Sequence, residues 1–210
     1  MKVNLLQRGV ITLKTILIAT ANPGKAAEYR NIFEEKGLEV KTLADLPEKY
    51  DINENGTSFE ENALIKANTL MNALDLPVLA DDSGLIVDAL NGAPGIHSAR
   101  YAGDHDDAAN NQKLLQNLAG LPFEKRTARF HCTIVVVRKN HEPLSVSSEV
   151  SGHILTKAQG SDGFGYDPLF YYTPLKKSFA ELTMAEKNQV SHRGLAVAKL
   201  AQVFDDWWND

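Results

Sequence analysis

TARFHCTIVVVR, residues 127–138, alternates polar with apolar side chains and then turns wholly apolar, as a central strand does. A second strand run follows, in which Val146, Ser148, Val150, Gly152 and Ile154 share one face. No helical periodicity separates the two runs, so they are expected to pair as an antiparallel hairpin. Earlier in the chain, Thr15-Ile16-Leu17-Ile18-Ala19-Thr20 is a β-branched, apolar strand that runs straight into a helix start. A hairpin and a strand–helix unit in one chain predict an α/β fold with a mixed central sheet flanked by helices.

At 210 residues the chain can bury a sizeable core in one domain, built as two lobes around a cleft. Its hydrophobic share of 43% and charged share of 23% are ordinary for a globular protein. No apolar run nears the roughly 20 residues that span a bilayer, so no membrane partner is expected. A formal net charge of −5 argues against broad nucleic-acid binding and leaves room for a local basic pocket. The single cysteine, Cys132, excludes an intramolecular disulfide and falls in the apolar strand pattern as a core thiol, so a reducing cytoplasm is the expected compartment. Residues 1–14 lack the apolar core and cleavage site of a secretory signal and read as an extension ahead of a domain over 15–210.

Asn22-Pro23 opens the first helix, with Asn as N-cap and Pro at the first helical position, and Gly37 stands at its end. Such a joint presents free amides and the positive end of the helix dipole, an anion site with Lys25 in its first turn. A Walker A loop does not fit, because Ala26 follows Gly24-Lys25 and Ala19 occupies the first glycine position. A strand over 38–43 and an acidic loop with Glu48, Asp51 and Glu54 come next. Thr57/Glu60 and Ser58/Glu61 both have capping-box spacing for a second helix, whose core face is Phe59, Ala63, Ala67, Leu70 and Leu74. Asn62 and Lys66 sit four apart on an adjoining face, as a surface pair or as the lining of a polar cleft. Asp106 or Asp107 caps a helix reaching Leu118. Gly160–Pro168 (GSDGFGYDP) is a loop carrying Phe164, Tyr166 and Asp167. Thr183/Glu186 forms another capping box, and Ser191 caps a last helix with His192 and Arg193 at its start. Trp207 and Trp208 near its end have three possible settings: the core, a second subunit, or solvent.

Ala80-Asp81-Asp82-Ser83-Gly84 reads as the end of a strand begun at Pro77, with Ser-Gly as a turn. Alternation along a strand keeps the two carboxylates from aiming at one point, and Asp82, beside the turn, is expected to face the cleft. Taken alone, a plain Asx turn explains Asp82 equally well. Carboxylates at Glu54 and Asp82, with no paired Cys or His spacing, suit a hard cation; Mg²⁺ is the usual one beside phosphates. Cations at two helix starts (Lys25; His192 and Arg193) suit a polyphosphate, and the aromatic loop suits a base. Together these features describe a nucleoside triphosphate site, although Lys25 by itself reads more readily as a solvated helix lysine.

The ordered set Thr20-Ala21-Asn22-Pro23-Gly24-Lys25, Ser58-Phe59-Glu60-Glu61-Asn62-Ala63, Ala80-Asp81-Asp82-Ser83-Gly84, Gly92-Ala93-Pro94-Gly95, Phe164-Gly165-Tyr166-Asp167-Pro168 and Ser191-His192-Arg193 resembles the inosine triphosphate pyrophosphatase family, over about residues 15–204. The resemblance implies an elongated, two-lobed α/β homodimer with a central cleft. It also implies Mg²⁺-dependent cleavage of nonstandard purine nucleotides (ITP, dITP, XTP) between the α- and β-phosphates. Carried over, Thr20, Ala21, Asn22, Pro23, Gly24 and Lys25 would hold the phosphates and Ser83 would contact substrate. Asp82 would be metal ligand and proton acceptor, with Glu54 a second ligand and Glu48 its rival. Phe164, Gly165, Tyr166, Asp167, Lys187, His192 and Arg193 would recognise base and sugar-phosphate. The family usually has Gly where Ala21 stands, so the loop must keep a right-handed backbone there. An Asp of pKa about 3.9 facing water of about 15.7 leaves roughly 16 kcal/mol for direct proton removal, so Asp82 cannot supply hydroxide unaided.

Overall fold

The computed structural model describes residues 14–103 and 106–210; the extension expected over residues 1–14 therefore falls, but for Lys14, outside the described residues. The strands are β1 (Thr15–Ile18), β2 (Glu39–Thr42), β3 (Val78–Val87), β4 (Thr127–Val137), β5 (Leu144–Ile154), β6 (Phe170–Tyr172) and β7 (Lys177–Ser178). They form one seven-stranded sheet in the order β2-β1-β3-β4-β5-β6-β7. β1 runs parallel to β2 and β3, and every other pairing is antiparallel, so the sheet is mixed as the sequence pattern predicts. The expected hairpin is β4–β5, in register from Thr127↔His153 to Val136↔Leu144.

Among the described residues five α-helices cover the sheet: α1 (Pro23–Glu35), α2 (Phe59–Leu74), α3 (Asp107–Asn117), α4 (Met184–Val190) and α5 (His192–Asn209). Their starts follow the capping signals. Asn22 Oδ1 accepts from the Lys25 amide at 3.2 Å at the head of α1. Ser58 Oγ accepts from the Glu61 amide at 3.1 Å, while the Glu61 carboxylate accepts from the Thr57 amide and hydroxyl at 2.6 and 2.7 Å. Asp106, not Asp107, caps α3 by accepting from the Ala109 amide at 3.0 Å.

The strand pleat sorts the core. Ile16 and Ile18 turn toward α1 and α5 and pack with Tyr29, Phe33, Leu200 and Phe204. Leu17 and Ala19 turn the other way and meet Ala63, Ala67 and Leu70 of α2. A third cluster gathers Leu85, Val87, Phe130, Val150 and Ile154 with Phe170 and Phe179. β3 contributes to all three clusters: Leu79 to the first, Val78 and Ala80 to the second, Leu85 and Val87 to the third. Between Leu79 and Leu85, on the same side of the strand, stand Asp81 and Ser83. Trp208 stacks on Phe204 at 5.2 Å and belongs to the core around α5, while Trp207 is half-buried and packs against the same cluster. Cys132 is buried there too, and burial pushes its thiol up to about 12, in keeping with a core thiol. Among the described residues no helix is long and apolar enough to cross a membrane.

One expectation fails. The strand does not end at Ser83-Gly84 but continues to Val87. Gly84 is there for close approach, not for a turn: a Cβ on it would lie 2.4 Å from the Gly95 carbonyl oxygen, 2.6 Å from Ser98 Oγ and 2.8 Å from the Phe59 ring. The contacts that require this glycine lie at least eleven residues away in sequence, which no local turn rule can see.

Candidate active site

A cleft of about 490 Å³ opens over Asp81 and Ser83, where β3 passes from one core cluster to the next. The end of β1 and the head of α1 supply Thr20, Ala21, Asn22 and Lys25; the acidic loop supplies Glu54. The glycine-rich loop adds Phe164, Gly165, Tyr166 and Asp167, and the α4–α5 region adds Lys187, His192 and Arg193. These residues were all expected at the site. Pro23 and Gly24 are the first two residues of α1, between lining residues Asn22 and Lys25. Glu48 is exposed and outside the cleft lining, which leaves Glu54 as the acidic-loop carboxylate at the site. His97 and Arg100 are exposed and outside the lining as well.

The pleat of the unbroken strand corrects only which member of the Asp pair faces the cleft. Asp81, not Asp82, lines the cleft. Its carboxylate accepts from Lys25 Nζ at 2.8 Å and Arg193 Nε at 3.4 Å, with Ser83 Oγ at 3.5 Å. Burial opposes ionisation of Asp81, but the charges of Lys25 and Arg193 and the Lys25 hydrogen bond outweigh it and hold the group well below the usual carboxylate range. Asp82 points toward α2. Its Oδ2 accepts from Asn62 Nδ2 at 3.2 Å and its Oδ1 from the Ser83 amide at 3.0 Å. Burial pushes Asp82 up to about 6; Lys66 and the Asn62 hydrogen bond resist, while Glu54 and Asp81 add to the rise. Lys66 joins the two sides, with its Nζ 3.1 Å from Glu54 Oε1 and 3.1 Å from the Asp81 carbonyl oxygen. In the sequence, Lys66 and Asn62 were visible only as a pair four residues apart; their partners could not be read.

At the head of α1, Thr20 Oγ1 accepts from the Asn22 amide at 3.1 Å, folding the chain into the helix start. Non-glycine residues with positive φ among the described residues are Asp75, Asn91, Asn140 and Lys176, so Ala21 adopts an ordinary backbone and its methyl strains nothing.

Across the cleft, the Phe164 ring is 45% exposed, with Lys187 Nζ 4.6 Å and the Arg193 guanidinium 5.5 Å from its centroid. Asp167 is buried beneath and accepts from the Phe164 amide at 2.8 Å and from Lys187. Tyr166, expected with Phe164 as a recognition residue, lines the cleft but is largely buried, its hydroxyl donating to the Ser98 carbonyl at 2.8 Å; Phe164 is the more exposed of the two rings. Asp107 and Asn111 of α3 fasten the loop: Gly165 donates to Asp107 Oδ2 at 2.7 Å, and its carbonyl accepts from Asn111 Nδ2 at 2.8 Å. His192 stacks on Phe130 at 4.6 Å. Burial, then Arg193, Lys187 and Lys25, hold it well below its ordinary value, so the ring is neutral, and its buried Nδ1 makes no hydrogen bond.

Among the described residues, no group of three or more His, Cys, Asp or Glu side chains forms a metal cage. Glu54 and Asp82 instead offer hard oxygens, and Glu54 is close enough for its charge to oppose ionisation of Asp82. Each Asp82 oxygen accepts one bond from the protein and keeps lone-pair capacity. Such a sparse oxygen set fits Mg²⁺, which keeps several waters and takes substrate phosphates as ligands, and does not fit zinc.

Four cations (Lys25, Lys66, Lys187, Arg193), each paired with a carboxylate, around a strand that carries two adjacent acids define an α/β protein with a strongly charged cleft. The chain belongs to the Ham1 family, whose model matches residues 16–203. It is 53% identical over 195 residues to a dITP/XTP pyrophosphatase of Lactiplantibacillus plantarum, a match spanning 93% of this chain and 96% of that protein. With the dITP/XTP pyrophosphatase of Listeria monocytogenes it shares 52% identity over 189 residues, 90% of this chain and 93% of that protein. Its fold resembles the Staphylococcus aureus Ham1 structure with a TM-score of 0.85 and 41% identity, covering 92% of this chain and 99% of that one. For the Coxiella burnetii HAM1 structure the values are 0.86 and 38%, covering 92% and 100%. The resemblance read from the ordered motifs holds.

Proposed function

We propose that this chain hydrolyses nonstandard purine nucleoside triphosphates, dITP, ITP and XTP among them, to a nucleoside monophosphate and pyrophosphate. One observation carries the proposal: Lys25 and Arg193, from helix starts far apart in sequence, meet in one cleft beside Asp81. The names of the curated relatives support the substrate class. The cleft volume of about 490 Å³ suits a nucleotide-sized ligand.

In this reading Thr20 to Lys25 bind the phosphates with helix-start amides and the Lys25 ammonium. Ser83 meets the substrate from the floor, and Arg193 and Lys187 bind oxygens on the far wall. The exposed face of Phe164 stacks the base. Glu54 and Asp82 would hold Mg²⁺, which supplies neutralisation of phosphate charge and a more acidic water. Asp82 would act from the α2 side of β3, beside the cleft-lining Glu54; with a pKa of about 6 it is mostly ionised at neutral pH and suited to orient the attacking water and accept its proton. A donor from His192 or Arg193 to the 6-oxo group of hypoxanthine or xanthine would face another donor in adenine. One unpaired buried group costs about 1–3 kcal/mol, roughly 5- to 150-fold.

The same reading takes residues 15–210 as one catalytic unit working as a cytoplasmic homodimer without nucleic-acid or membrane partners; a monomer mass by light scattering would remove the dimer. The main test is pyrophosphate release with Mg²⁺ from ITP, dITP, XTP, GTP and ATP. We expect kcat/KM for ITP and XTP to exceed that for ATP by at least about 10-fold. Equal rates overturn the selectivity, and no pyrophosphate from any of the five overturns the activity.

A further inference from the structure

We infer that Asn62 is a positioning residue that sets the Asp82 carboxylate against the loop carrying Glu54, an inference that rests on the function proposed above. Asn62 is the fourth residue of α2 and is 1% exposed, so its amide must find partners inside the protein. It is not occupied with capping the helix: Ser58 does that, and the Asn62 backbone amide bonds the Ser58 carbonyl at 3.1 Å. Its side chain reaches two places. Oδ1 accepts from the Gly56 amide at 2.9 Å, and Nδ2 donates to Asp82 Oδ2 at 3.2 Å.

The orientation of that amide follows from its partners. The Gly56 N–H can only donate, so it must meet the oxygen of Asn62, and the NH₂ is left for the Asp82 carboxylate. Only a side chain with a donor and an acceptor on one short fork bridges the two. Gly56 must be bare for the loop to come this close, since a Cβ there would sit 2.7 Å from Glu61 Cβ and 2.8 Å from Asn62 Oδ1. Glu54 lies two residues before Gly56, and one turn further along α2 Lys66 contacts Glu54 at 3.1 Å. α2 therefore ties the loop to Asp82 through the Asn62 amide and holds Glu54 through Lys66. Groups that orient a metal's carboxylates in this indirect way typically change affinity or turnover by about 10–100-fold when removed.

The test uses Asn62→Leu, which keeps the volume and removes both bonds, and Asn62→Asp, which keeps an acceptor for Gly56 and turns an acceptor on Asp82. Mn²⁺ binding is followed by electron paramagnetic resonance, and kcat and KM for ITP are measured at saturating Mg²⁺. We expect both variants to bind Mn²⁺ about 10–100-fold more weakly and to lose kcat, with KM for ITP within about twofold of the wild type. Should the Leu variant fail to fold, the Asp variant decides alone. Wild-type Mn²⁺ affinity and kcat in Asn62→Asp overturn the inference. An Asp82→Asn control separates this from failure of the underlying function: loss of Mn²⁺ binding in the control but not in the Asn62 variants sinks only the role of Asn62. Unchanged Mn²⁺ binding and turnover in the control as well sink both.

Discussion

Asp81 and Asp82 are neighbours on one strand, yet the two faces of β3 treat them in opposite ways. Both are taken out of water, which alone would push each carboxylate up. On the α1/α5 face, Lys25 and Arg193 contact Asp81 directly and reverse that effect. On the α2 face, Asp82 has a neutral amide donor in Asn62, while Lys66 is shared with Glu54, and burial wins. One residue type is thus set as a permanently ionised clamp and, a single pleat away, as a group that titrates near neutral pH. The number of cations in contact decides between them, because burial is common to both.

The comparison is broken most directly from the clamp side. Asp81→Ala leaves the guanidinium of Arg193, only 6% exposed, and the Lys25 ammonium without their shared carboxylate. Urea unfolding should show a loss of about 3–5 kcal/mol, as expected when one partner of a buried pair is deleted; a loss under about 1 kcal/mol would mean the clamp is not structural. Next is Asp82→Asn, which should lower kcat for pyrophosphate release about 10²–10³-fold with little effect on unfolding. Turnover near the wild-type rate would remove Asp82 from the chemistry.

The smallest effect, and the one that sharpens the contrast, is the pH dependence. Asp82 is raised from 3.8 to about 6, so the stability it contributes is complete below pH 3.8 and is lost as pH climbs through 6. Asp81 is lowered, so its contribution is present above pH 3.8 and lost on acidification toward its folded value. In the proposed mechanism, activity needs Asp82 ionised. We expect kcat/KM at limiting Mg²⁺ to fall roughly tenfold per pH unit below about pH 6, and a profile flat to pH 5 would contradict this.

Local chemistry made much of this legible in advance. Asn22-Pro23, Ser58/Glu61, Thr183/Glu186 and Ser191 announce four helix starts by short-range rules, and a helix starts at each; only at α2 does the reciprocal bond shift, the Glu61 carboxylate returning to Thr57 instead of to the Ser58 amide. The β4–β5 hairpin follows from two strand patterns with nothing helical between them. Three things were hidden, each for the same reason. The run of β3 past Gly84 depends on Gly95, Ser98 and Phe59; the anchoring of the Phe164 loop depends on Asp107 and Asn111; and the role of Asn62 depends on Gly56 and Asp82 together. Spacing rules report which residues share a face. They do not report what the fold later brings up against it.

The unbroken course of β3 has a mechanical side. Ten successive pairs, from Val78↔Val137 to Val87↔Ala128, zip β3 to β4 beneath the cleft and run on through the hydrophobic clusters at either end. The floor is therefore a stiff beam shared by both halves, and neither half can melt or tilt without shearing that ladder. Any tightening around a bound guest falls to the walls.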